Sequence, residues 1–322
     1  MIATFRTFCA FLLMGLFSSL ISAQTLSGNR PIRIIVPVPP GGPSDTAVRL
    51  ILPRLSEGLK RIIVADTRPG SNGIAGTDIA AKAAPDGYTL CVGNSGTHAI
   101  NPSLYSKLPY DPIRDFAPIV QLVTSGMVLA ANPRVPGKSL ADFLNAAKKQ
   151  PGKFNVGVAG ATGEITGDAL WARAQVVMNN VRYKGSSPTE LALLGGEVDV
   201  AVLTPLASRQ HILAGKMKAF GITSSRRSPV LPDLPTIAEQ GLKGYDFQIW
   251  HGLFAPRGTP DKVVRAVNRE AVAALNAPDI KERFNALGFV TIGNTPEQFA
   301  AVIKSEIAKF RKVIADSGIR AE

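Results

Sequence analysis

Three short apolar runs, "PIRIIVPV" (31–38), "RIIVAD" (61–66) and "YTLCVG" (88–93), follow one another at the spacing of a helix. They are rich in Ile and Val without alternation, as strands buried on both faces are. The stretches between them, "SDTAVRLILPRLSEGL" and "GIAGTDIAAKAA", carry helical patterns, the first with Pro53 inside, where a bend is expected. Strand–helix–strand units this short leave one economical solution: an open, mostly parallel sheet with helices on both faces.

The pattern then restarts. "FAPIVQLVTSGMVLAAN" (116–132) is a long extended run, and strand-like and helix-like segments alternate after it up to "MKAFGIT". A second long run, "YDFQIWHGLFAP" (245–256), leads into a helical C-terminal part. Two long runs flanking a middle segment imply a chain that crosses twice between two α/β lobes. The expected division is 24–125 plus 248–322 for the first lobe and 126–247 for the second, with a ligand cleft between them that closes by a hinge. Ser139, Thr259 and Thr295 read as helix N-caps, the last two followed by Pro at the first helical position. Phe299, Val302, Ile303, Ile307, Phe310 and Ile314 form the packing stripe of the last helix. No internal repeat is evident in the sequence.

The first 23 residues read as a secretory signal: Arg6, an apolar core "TFCAFLLMGLFSSLI", then "ISA" ending at Ala23. The apolar run is shorter than the ~20 residues that span a bilayer. Cys9 lacks a lipobox, so no lipid anchor is expected, and the periplasm is the expected location. Removing the signal leaves Cys91 alone, which excludes an intramolecular disulfide and leaves stability to the core. Cys91 sits in an apolar strand and reads as a buried small hydrophobe. The formal charge of +12 becomes +11 when Arg6 leaves. Its lysines and arginines are scattered, with no aromatic interleaving, which argues against nucleic acid; they read either as a solvated basic surface or as a field that favours small anionic ligands in a cleft.

The richest candidate site is "PVPPGGPSD". In open parallel sheets ligands sit beyond the carboxyl ends of strands, and this loop is at such an end. Gly41 and Gly42 let a ligand approach the backbone, Pro40 stiffens the loop, and Ser44 opens a helix whose N-terminus favours an anion. Asp45 either caps the first turn or accepts from a ligand. No Gly-Lys-Ser/Thr follows, so this is no P-loop, and the Gly-x-Gly-x-x-Gly of a dinucleotide site is absent. "VAGATGEITGDAL" repeats the arrangement in the second lobe with Gly160, Ala161, Thr162, Gly163 and Thr166; Glu164 is expected to point away. "GNSGT" adds Asn94, Ser95 and Thr97 but misses the Gly-x-Ser-x-Gly elbow of hydrolases by one residue. His98, His211 and His251 have no partner at metal-ligand spacing and read as structural. No catalytic residue, metal or cofactor is expected.

The segments "PPGGPSD", "PDGYTL", "NPSLYSKLPYDPIRDF", "YKG", "GGEVDV" and "HGLFAPRGTP" together resemble the Bug-type extracytoplasmic receptors of tripartite tricarboxylate transporters, from about residue 30 to 315. That resemblance implies a type II periplasmic-binding-protein fold: two lobes, each a mostly parallel sheet flanked by helices, gripping a small ligand, often a carboxylic acid. It adds Tyr183, Lys184 and Gly185 to the candidate ligand residues; Thr204, which follows the atypical Leu203, is a further candidate for reading the ligand's distal end. The resemblance also implies membrane permease subunits as partners; the receptor is expected to act as a monomer. The departures are Val38 where the family commonly has Phe, the absence of a His-Leu pair after 160–166, and Leu203 where Asp is usual. A ligand-sensing module that signals to a membrane kinase shares the fold and is the alternative reading. A secreted hydrolase acting through Ser95 is a third, for which no turnover is expected.

Overall fold

In the computed structural model, which describes residues 30–183 and 185–317, β1 (Ile32–Val36) lies inside the first sheet, one strand from its edge. The segment read as a signal peptide lies outside the described residues. β1 pairs in parallel with β2 (Ile63–Thr67) and β3 (Thr89–Asn94). Helices α1 (Pro43–Leu59) and α2 (Ile74–Ala81) make the crossovers, α1 continuing through Pro53. After the short helix α3 (Asn101–Leu104), β4 (Phe116–Gly126) closes this sheet's share of the N-terminal half.

The chain enters the second lobe through one residue, Met127, and continues as β5 (Val128–Ala131). There follow α4 (Leu140–Lys149), β6 (Asn155–Ala159), α5 (Gly160–Ala174), β7 (Asn179–Tyr183), α6 (Ser186–Gly195), β8 (Val200–Leu203), α7 (Pro205–Leu213) and β9 (Lys218–Ile222). β10 (Gln248–Pro256) returns to the first sheet, followed by α8 (Asp261–Asn276), α9 (Pro278–Ala286), β11 (Val290–Thr291) and α10 (Pro296–Ser317). The long run at 116–132 is thus two strands serving different sheets.

The sheet orders are β11-β4-β10-β3-β1-β2 and β7-β6-β8-β5-β9. Each holds a run of three parallel strands, β2-β1-β3 in the first sheet and β7-β6-β8 in the second, and the strand beside that run, β10 or β5, lies antiparallel to both its neighbours. That inserted strand, β10 or β5, is each time the one that has just crossed over. The two lobes share a topology that their sequences do not display, because the connection rules constrain strand order far more tightly than side chains.

Ile32, Ile34 and Val36 pack with Val48, Ile51 and Leu55 of α1 and Val263, Val267 and Ala271 of α8. Each Ile, Leu or Val among them contributes about 1.5–3 kcal/mol on full burial. Ile35 and Cys91, on the opposite face, belong to a cluster that reaches Phe143, Val156 and Trp171 of the second lobe through Trp250, Phe299 and Phe310. The stripe on α10 therefore packs behind both lobes. Cys91 is fully buried and free, and burial pushes its thiol up.

Ser139 caps α4 in a capping box with Asp142. Thr295 accepts from the Gln298 amide at 3.2 Å, and Gln298 returns the bond. Thr259 does not cap α8: Pro260 stays extended (ψ 132°), so the helix begins one residue later, and the Thr259 hydroxyl donates to the Pro256 carbonyl instead. Among the described residues no helix is long and apolar enough to cross a membrane.

Candidate functional site

The carboxyl ends of β1, β3, β6, β7 and β8 all open onto the space between the sheets, where ligands of parallel α/β sheets sit. Four helices begin there. Pro43 and Ser44 of α1, Gly160–Thr162 of α5, Ser186 and Ser187 of α6, and Leu206 and Ala207 of α7 line the cleft. First-turn amides have no intrahelical acceptor and carry the positive end of the helix dipole. Four such ends pointed at one cavity make it a site for negative charge.

The cleft has two joined chambers of about 610 and 430 Å3, sharing Val38, Pro39, Asn94, Ala159, Thr162 and Gly185. Of the residues expected from sequence, Pro40, Gly41, Gly42, Ser44, Ser95 and Thr204 line the larger chamber. Gly160, Ala161 and Tyr183 line the smaller, and Asn94, Thr162 and Gly185 line both. Thr204 also caps α7 through a 3.4 Å bond from the Ala207 amide. Lys184 lies outside the described residues.

Four expected ligand residues do not line the cleft. Asp45 is buried and turned back: its carboxylate accepts from the Gly41 amide at 2.9 Å and from Arg49 at 2.7 Å. The Gly42 amide donates to the Pro39 carbonyl at 3.3 Å. The glycine amides of the loop are therefore spent on its own shape, and the ligand-facing donors are the hydroxyls and the helix ends. Thr97 builds the turn under Asn94, donating its amide to Asn94 Oδ1 and accepting from the Asn94 amide, both at 3.0 Å. Thr166 is buried and its carbonyl accepts from the Tyr245 hydroxyl. Gly163 is buried within α5. Glu164 pairs with Arg182 at 2.8 Å, outside the lining. Leu203 is fully buried with Val128 and Ile222, so the departure at this position lies in the core.

Other residues line the cleft as well, among them His251, which the sequence reading takes as structural. His251 of β10 lines the larger chamber, its Nδ1 2.9 Å from the Ser44 hydroxyl, 207 residues away in sequence. Burial lowers it to about 4, so the ring is neutral at neutral pH. Ser71 and Asn72 sit in left-handed conformations, with Gly73 donating back to Gly70. This turn, like Asn101, faces the smaller chamber, and Asn72 donates to Tyr105 at 2.6 Å. The signal for the turn was present in "SNG"; nothing in the sequence links His251 to Ser44. Glu190 also lines the larger chamber and is held by His211 at 2.8 Å. Among the described lining residues none is Lys or Arg, and no described cluster of His, Cys, Asp or Glu is arranged to hold a metal.

Residues 47–319 match the model of the tripartite tricarboxylate transporter family receptor. The chain belongs to this family. It is 33% identical over 303 residues to protein BugT of Bordetella pertussis, covering 93% of each chain. It superposes on Rpa4515 of R. palustris with adipate at a TM-score of 0.83, with 33% identity over 90% of this chain and 98% of that one. MatC (Rpa3494) from Rhodopseudomonas palustris with bound malate gives 0.79, with 33% identity over 88% and 99%. The receptor thus has the two-lobed binding-protein fold of its family, and its structural relatives are binding proteins.

Proposed function

We propose that this receptor captures a small carboxylate in the cleft between its lobes and delivers it to the membrane permease subunits of a tripartite transporter. The convergence of four helix N-termini on one cavity carries the reading. Family membership and the relatives solved with adipate and malate support it. The protein works in the periplasm, as a monomer, without catalysis or cofactor.

The lobes, 24–125 plus 248–322 and 126–247, close about the crossovers at Met127 and 223–247. Ser44, Ser95 and Asn94 on one side and Thr162, Ser186 and Thr204 on the other supply neutral donors. A carboxylate held this way needs no buried cation, which would bring its own desolvation cost.

A thermal-shift screen against mono-, di- and tricarboxylates tests the proposal. At ~100 times its Kd a ligand stabilises the folded state by about 2.7 kcal/mol, a clear rise in melting temperature. No shift with any carboxylate overturns the reading.

A further inference from the structure

Three polar side chains meet on the wall of the larger chamber. The Ser44 hydroxyl oxygen accepts from Asn94 Nδ2 at 3.2 Å and lies 2.9 Å from His251 Nδ1. Ser44 is 2% exposed and His251 5% exposed, and both line the chamber. Among the described residues His251 Nε2 is buried with no hydrogen-bond partner, its ring packed edge-on against Phe289 at 5.8 Å.

These contacts fix where the protons are. A serine hydroxyl has one proton and two lone pairs. Asn94 occupies one lone pair. If His251 Nδ1 were bare, the serine proton would be spent on it, and Ser44 would show the cleft only a lone pair. Nε2 would then carry a buried N–H with no acceptor. Orphaned buried N–H groups are rarer than under-satisfied acceptors, so the unpartnered Nε2 is the bare nitrogen. The proton then sits on Nδ1 and is donated to Ser44. With both lone pairs filled, the Ser44 proton has the cleft as its remaining direction.

We propose that His251 is a positioning residue that turns Ser44 into an obligate donor, so that this wall accepts a carboxylate oxygen and rejects a carboxamide N–H2. The inference rests on the carboxylate reading and adds the basis of its selectivity. A donor facing a donor leaves both unpaired, and such mismatches discriminate strongly in sites built around hydrogen bonds. A bond to an ionised oxygen is also about twice as strong as a neutral one.

The test is titration calorimetry with three pairs of probes: benzoate and benzamide, adipate and its diamide, malate and its diamide. The wild type prefers the acid of any pair it binds. His251→Phe keeps an aromatic ring but removes the donor; it lowers acid affinity about 10-fold or more and lowers amide affinity less, because the neutral amide carbonyl is the weaker acceptor. His251→Asn, whose side-chain amide reaches the position of Nδ1, recovers most of the loss. Ser44→Ala shows the same loss, and the Ser44→Ala/His251→Phe double variant is no weaker than Ser44→Ala alone, as expected for one pathway. Equal losses for acid and amide in folded His251→Phe, or additive losses in the double variant, overturn the positioning role. Where the thermal-shift screen selects another acid, that acid and its amide replace these pairs; if no carboxylate of the screen binds the wild type, the carboxylate reading fails and takes this inference with it.

Discussion

Thr223 and Met127 are locked by two hydrogen bonds where the chain crosses between lobes. The Met127 amide donates to Thr223 Oγ1 at 2.7 Å, and the Thr223 amide donates to the Met127 carbonyl at 2.8 Å. The same hydroxyl donates to the Phe247 carbonyl at 2.6 Å, so one side chain ties both crossovers together. Thr223 is 1% exposed. Thr223→Val keeps the shape and leaves the Met127 amide and the Phe247 carbonyl without that partner. A loss of about 1–3 kcal/mol is expected, read from urea denaturation, with Thr223→Ser close to wild type.

Asp45 is the second lever. It holds the Gly41 amide inside the loop and pairs with Arg49. Asp45→Ala is expected to cost about 0.5–2 kcal/mol, as the loss of a helix-start acceptor does, and to weaken ligand capture by loosening the loop. Arg49→Ala changes little in either readout, because its side chain is half-exposed and surface pairs contribute 0–1 kcal/mol. Melting curves and a ligand titration on both variants check the difference.

The parallel-sheet architecture and the cleft were legible because they follow from local patterns: apolar strands, Gly-rich loops at strand ends, and helices after them. Residues 39–44 of the first expected loop and 160–162 of the second face one cavity, while Asp45 and 163–166 do not line it. The direction of side chains was less legible. Asp45 and Thr97 carry ligand-like groups in ligand-like loops, yet each closes a bond three or four residues away, a choice set by backbone geometry. His251 failed the other way: its partner is 207 residues distant, and only the insertion of β10 between β3 and β4 brings the two together.

Stability should fall in mild acid. Burial holds His98 at about 3 and His251 at about 4, below the ~6.5 of a free histidine. As pH drops through ~6.5 the unfolded chain binds protons that the folded chain refuses. Stability is therefore complete above that value and declines below it, by up to about 1.4 kcal/mol per pH unit for each histidine, until the folded value is reached. His98 is clamped between Phe254, stacked at 4.0 Å, and Phe116. Urea midpoints between pH 7 and pH 5 check the slope, which His251→Phe reduces by one histidine's share.

Gly73 fixes the wall of the smaller chamber. Its φ is +83°, and a Cβ there would stand 2.6 Å from the Thr97 methyl and 3.2 Å from the Pro37 carbonyl. Gly73→Ala is expected to cost at least about 1–2 kcal/mol from the left-handed backbone alone. Gly41→Ala has a comparable φ of +76° but nothing within 4 Å, so it should cost less. Paired melting temperatures separate overlap from backbone strain.

A crystal structure of the chain from Gln24 onward, grown with the carboxylate that gives the largest thermal shift, decides where the ligand sits. The carboxylate is expected in the cleft, with an oxygen within hydrogen-bond distance of the Ser44 hydroxyl and the ligand in contact with the helix starts at Thr162 or Ser186. A carboxylate bound outside the cleft, or one turned away from Ser44 and all four helix N-termini, contradicts the proposed site.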